Sequence, residues 1–251
     1  IKEWRRAAIK KAIETGTHYG SASLKSIKRP LLNEKLAEFI GVYLGDGTLT
    51  PYQIRISGDC RYDFPYFNYL SKLIFELFGI NSSVKKEKNR NVLNLIIYSK
   101  NICSYLKDNF GINYGNKIRN KTIIPEKILQ SRELTIACFR GLMDTDGSIS
   151  RRGRKGSQFC IQFTSHSPPL LFQVHNIGRD LGIFTYADKT GAGTNKWENI
   201  IKYFNIVGSS NLKHIIRFYL RAYNNETIYL KDVPKYIEQS FYKDMTLPFK
   251  M

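Results

Sequence analysis

Two apolar segments that end alike, FIGVYLGDG (39–47) and FRGLMDTDG (139–147), stand 100 residues apart, and the elements around them recur in the same order. The first lies in a helix that Asn33 can cap, running through Leu36, Ala37, Phe39, Ile40, Val42, Tyr43 and Leu44. A helix apolar almost all round must be buried on several sides, in the middle of a structure or between two halves. After it, TLTPYQIRIS alternates Ile54 and Ile56 with Gln53, Arg55 and Ser57. Residues 64–78 have helical spacing closed by Gly79, SSVKKEK and VLNLIIYS pair around Asn89–Asn91, and NICSYLKDNFG is a helix ended by Gly111.

In the second copy LTIACFRGLM is the apolar helix and SISRRGRKGSQFCIQFTS a basic hairpin. LLFQVHNIGRDLG is a helix, IFTYAD and IIKYFNIVG are strands, and NLKHIIRFYLRAY is the closing helix. The pattern is that of an internal duplication. The expected fold class is α+β, with two pseudo-symmetric αββαββα halves over 33–130 and 131–251, joined at IIPEKILQSRE where Pro125 breaks the run. Residues 1–32 read as a basic arm, helical to residue 14 and then rich in Gly, Ser and Thr, with Trp4, Arg5, Arg6, Lys10 and Lys11 available for phosphate contacts.

Charge narrows the function. Thirty-nine Lys and Arg against 21 Asp and Glu leave a formal net charge of +18, spread along the chain, which suits a polyanionic partner. No stretch approaches the roughly 18 apolar residues of a membrane span and no leader is visible, so a soluble, intracellular protein without a targeting signal is expected. The start at Ile1 without methionine fits a trimmed N-terminus. Cys60, Cys103, Cys138 and Cys160 stand far apart with no CxxC pair, which argues against a zinc site or a disulfide framework.

Gly41 and Gly141 precede the two motif aspartates by five residues and, lacking side chains, let two helix backbones approach closely. Packed side by side at the seam between halves, the helices bring Asp46 and Asp146 together. A helix C-terminus already carries about half a negative charge, so two carboxylates there repel and invite a divalent cation; hard oxygen donors suit Mg2+ better than zinc. Glu38 and Arg140 depart from the apolar pattern; a solvated helix rim accommodates them, whereas burial at the seam counts against this packing.

Both segments resemble the motif of the LAGLIDADG homing endonucleases, over about residues 33–251. The resemblance implies a monomer whose two antiparallel sheets form a saddle on a long double-stranded DNA site, with metal ions cutting both strands. It implies Asp46 and Asp146 as metal ligands, joined by the Gly45 and Thr145 carbonyls. Leu44 stands where the second motif keeps Asp144, so that earlier acid is not the shared catalytic group. Basic groups following the last helix of each half are expected to help the phosphate, with Lys121 and Lys231 as candidates, each 20 residues after an Asn (Asn101, Asn211), and Lys117 a rival. His166 and Asp59 end matching strands and are candidates to order water. By strand parity, Gln53, Arg55 and Asn94 in the first half, and Arg152, Arg154, Gln158 and Gln162 in the second, are the expected DNA contacts, since a two-stranded ribbon fits the major groove; Arg151 and Lys155 in the RRGRK loop are expected at phosphate, and Lys196 is a further candidate contact. The same scaffold admits an RNA maturase binding intron RNA, or a regulator that binds DNA without cutting. Without a splicing-type Cys or Ser start or a His-Asn end at Met251, an intein is less favoured.

Overall fold

The computed structural model describes residues 26–152 and 158–238. Residues 1–25 of the N-terminal arm, including Trp4, Arg5, Arg6, Lys10 and Lys11, together with Arg154 and Lys155, lie outside the described residues. Helix α1 (Glu34–Asp46) starts where the Asn33 side chain accepts the Leu36 N–H at 3.0 Å. Strands β1 (Gly47–Leu49) and β2 (Gln53–Asp59), helix α2 (Phe64–Phe78), strands β3 (Ser83–Lys86) and β4 (Val92–Tyr98) and helix α3 (Lys100–Phe110) complete the first half. A short helix α4 (Glu126–Leu129) leads into α5 (Arg132–Thr145), capped by Ser131. The second half continues with β5 (Gly147–Arg152), β6 (Gln158–Thr164), α6 (Pro168–Asp180), β7 (Tyr186–Ala187), β8 (Gly191–Thr194) and α7 (Trp197–Ile206). Beyond the second αββαββα set come α8 (Leu212–Asn224) and α9 (Val233–Glu238).

Each half forms one antiparallel four-stranded sheet, in the orders β1-β2-β4-β3 and β5-β6-β8-β7. The inner faces, carrying Ile54, Ile56, Leu95 and Ile97 in one sheet and Ile149, Ile161 and Phe163 in the other, join α1 and α5 in one continuous core. Burial of this apolar surface is the main force holding the halves together.

Two expectations for the second half are corrected. IIKYFNIVG is not a strand: residues 197–206 are helical, and Ile200, Tyr203, Phe204 and Val207 are buried. Its β-branched and aromatic residues suited a strand, but the same residues stand at i, i+3, i+4 and i+7, and packing chose that period. The strand place is taken by GAGT (191–194), whose small residues gave no strand signal. A Cβ on Gly193 would come within 2.2 Å of the Ile161 carbonyl oxygen, and one on Gly191 equally close to the Gln162 amide. The closing helix of the second half is therefore α7, and α8 is additional.

The seam is reciprocal. A Cβ on Gly41 would lie 2.1 Å from the Cys138 carbonyl oxygen, and one on Gly141 2.2 Å from that of Glu38. Each glycine thus faces the residue three positions before the other, as a pseudo-twofold axis requires. Glu38 and Arg140 are both inside this seam, joined at 2.8 Å, with the Glu38 side chain 3% and the Arg140 side chain 23% exposed. Close helix packing survives their burial because they neutralise each other, and Tyr69 and Ser210 also donate to Glu38.

Candidate active site

The two motif helices end together. A Cβ on Gly45 would stand 3.6 Å from Asp146 Cγ, so the end of α1 sits against the acid of the second half. Burial, and then the neighbouring Asp146 charge, push Asp46 up to about 7; burial likewise lifts Asp146 to about 6. Both acids are short of positive charge, which a hard divalent cation would relieve. Among the described residues no group of three or more His, Cys, Asp or Glu side chains is set to hold a metal. Ligation by Asp46 and Asp146 would therefore be completed by carbonyls, water and phosphate oxygen, a donor set that fits Mg2+.

The basic side chains that act on the acids are Lys117, Lys213 and His166. Lys117 lies on the loop after α3, and its ammonium donates to the carbonyls of Tyr43 (3.2 Å), Leu44 (2.8 Å) and Gly45, closing the C-terminus of α1. Burial lowers its pKa, opposed by both acids. The Gly45 carbonyl is thus shared with a lysine, while the Thr145 hydroxyl is turned back to Gly141 and Leu142. His166 is exposed, and its charge favours ionised Asp146.

Lys121 and Lys231 are not among these groups. Lys121 is exposed in a left-handed turn at φ +47°, and Lys231 is exposed near the Tyr229 ring. The expected equivalence of Lys231 with Lys121 makes α8 the counterpart of α3. With α7 in that role the equivalence is plain: Lys117 stands seven residues after Phe110, and Lys213 seven after Ile206. That spacing was in the sequence, hidden behind the misassigned strand. Lys213 bonds to Asp63 at 2.8 Å across the seam, and Asp63 adds to the negative field on Asp46. Asp59, the expected water-ordering group, is paired instead with Arg61 at 2.6 Å, which holds its carboxyl below the usual range.

The outward sheet faces differ. Arg55 is exposed and Gln53 partly so, beside the exposed Lys85. Asn94 shares that face but is 6% exposed, bonded to Ser57 and Glu87 at 2.9 Å each. Gln162 is 5% exposed, lies across Gly191 and leaves its Oε1 without a partner. Parity placed both on the outward face; neighbours on flanking strands cover them. Gln158 is exposed at the hairpin end, paired in register with Arg152, while Arg151 opposes Phe159. Lys196 is exposed at the start of α7.

Residues 133–217 match the model of the LAGLIDADG-like domain. The second half therefore carries a LAGLIDADG-like domain, and the first half repeats its element order. It is 27% identical over 192 residues to an A-type ATP synthase protein of Pyrococcus abyssi, an alignment covering 76% of this chain and 17% of that protein. It is 24% identical over 152 residues to the ATP-dependent DNA helicase Hel308 of Thermococcus kodakarensis, covering 60% and 13%. The chain therefore spans less than a fifth of the length of these curated relatives. Full-length DUF199/WhiA from Thermatoga maritima has the same fold at a TM-score of 0.50 and 14% identity, over 83% of this chain and 67% of that one. Variants of the homing endonuclease I-DmoI align with a TM-score of 0.48 and 17% identity, over 70% and 95%. Within the LAGLIDADG fold, the described residues contain no helix long and apolar enough to cross a membrane.

Proposed function

We propose that this protein is a site-specific DNA endonuclease that hydrolyses one phosphodiester in each strand, acting as a monomer in the homing of a mobile element. The observation that carries this reading is the pair Asp46 and Asp146, brought to one end of the seam with cations on either side. A binder gains nothing from two carboxylates aimed at phosphate. Divalent ions held there, Mg2+ by the hardness of the donors, would activate water and neutralise the scissile phosphate. Lys117 and Lys213 add positive charge at the phosphate, and His166 stands beside Asp146 to orient water. The two sheets, with Arg55 and Gln53 exposed on one and Gln158 on the other, are suited to long asymmetric duplex DNA. Similarity to under a fifth of a helicase and of an ATP synthase protein, which have different tasks, fits a module that inserts into host genes.

The test is digestion of a randomised duplex library with purified protein and Mg2+. Double-strand breaks are expected with the parent, and loss of at least about a thousandfold with Asp46→Asn or Asp146→Asn while DNA binding persists. No cleavage by the parent, with binding unaltered in both variants, would leave a DNA-binding regulator; preference for structured intron RNA at fixed salt would mark a maturase.

A further inference from the structure

Glu38 and Asp144 are buried acids that the proposed chemistry does not use, and both grip one short turn. Asp144 accepts the Ser209 hydroxyl and, at 2.7 Å, the Ser210 N–H. The Ser210 hydroxyl donates to Glu38 of the first half at 2.7 Å. Asn211 Nδ2 donates to the Asp144 carbonyl at 3.0 Å and reaches Asp63 at 3.3 Å, and its side chain caps α8. Two residues later Lys213 meets Asp63 at 2.8 Å. The turn is therefore fixed by one carboxylate from each half, and what it delivers is a lysine of the second half to the acid of the first.

We propose that Asp144 and Glu38 are positioning residues that hold the Ser209–Asn211 turn so that Lys213 stands beside Asp46, making one strand's cleavage depend on contacts made by the opposite half. The first half has no such device: Leu44 replaces Asp144, and Lys117 is fixed by direct bonds to helix carbonyls. The consequence is an uncoupling of the two strands that a symmetric site would not permit.

This inference rests on the endonuclease reading for its kinetic arm and is independent of it for its structural arm. Strand-resolved single-turnover cleavage of a plasmid carrying a library-selected site is measured for the parent, Asp144→Asn, Ser210→Ala and Lys213→Met. Asp144→Asn and Ser210→Ala are expected to slow one strand by about tenfold or more and the other by less than about twofold, so that nicked circles accumulate. Lys213→Met is expected to slow the same strand. A purely structural role would slow both strands alike; that outcome, unchanged rates, or a different strand affected in Lys213→Met overturns the proposal. Hydrogen exchange of the amides at 209–213, without DNA, is expected to rise in Asp144→Asn and Ser210→Ala. If the parent cuts nothing and exchange rises, the endonuclease reading falls and the positioning role stands. If the parent cuts nothing and exchange is unchanged, the positioning role falls as well.

Discussion

In the first half Lys117 arrives on a loop and binds the last carbonyls of α1 directly, with apolar Leu44 beneath it; in the second, Lys213 arrives on a capped helix whose entry is bonded to Asp144 and Glu38. Both place an ammonium near the paired acids. One fixes it by the helix terminus, the other by a buried polar network. Duplication thus preserved the outcome and not the means, because a pseudo-twofold axis constrains the helices that form it far more tightly than the segments that follow.

The comparison is broken most severely at the carboxylate shared by that network and the seam. Glu38→Ala leaves the half-buried Arg140 guanidinium without its carboxylate and the Tyr69 and Ser210 hydroxyls without their acceptor, with an expected loss of about 3–5 kcal/mol in denaturant unfolding. Leu44→Ala in the first half removes packing alone, and its cost should be about 2–5 kcal/mol without altering exchange at 209–213. Equal effects on that turn from both variants would show that the network does not set the halves apart.

Proton linkage sharpens the comparison at the acids themselves. Asp46 at about 7, Asp146 at about 6 and Asp144 at about 7 all hold protons more tightly folded than unfolded. Their folded pKa values are raised, so stability without metal falls as pH rises between about 4 and about 7. Asp46→Asn is expected to make that fall shallower across the whole window from about 4 to about 7 and Asp146→Asn from about 4 to about 6, with Asp144 keeping its share in both, and Mg2+ to flatten it in the parent. Urea unfolding across this range checks the sign; slopes identical in parent and both variants would refute it.

The smallest effect belongs to the sheets. Arg55→Ala should weaken duplex binding about tenfold at fixed salt, the loss of one good base or phosphate contact. Gln162→Ala, on the covered face of the second sheet, should change binding by less than about twofold. Fluorescence anisotropy with labelled DNA distinguishes them, and a larger effect at Gln162 would mean that its amide leaves Gly191 when DNA binds.

The sequence by itself determined the duplication, the α+β class, the two buried helices and the pairing of Asp46 with Asp146, because these follow from periodicity, from glycines at close approach and from the equal spacing of the motifs. Lys117 was legible as one of several lysines after a helix. Tertiary structure decided what local pattern could not. Residues 197–206 satisfied both strand and helix periods, and packing against the core selected the helix; glycines formed a strand because Ile161 and Gln162 left room for nothing larger. Asp63, Asn211 and Lys213 became a site only when the chain beyond α7 crossed the seam, a contact at a sequence separation of 150 residues for which periodicity carries no signal. Glu38 and Arg140, 102 residues apart, were admitted to the seam because each supplies the charge that the other would otherwise lack there.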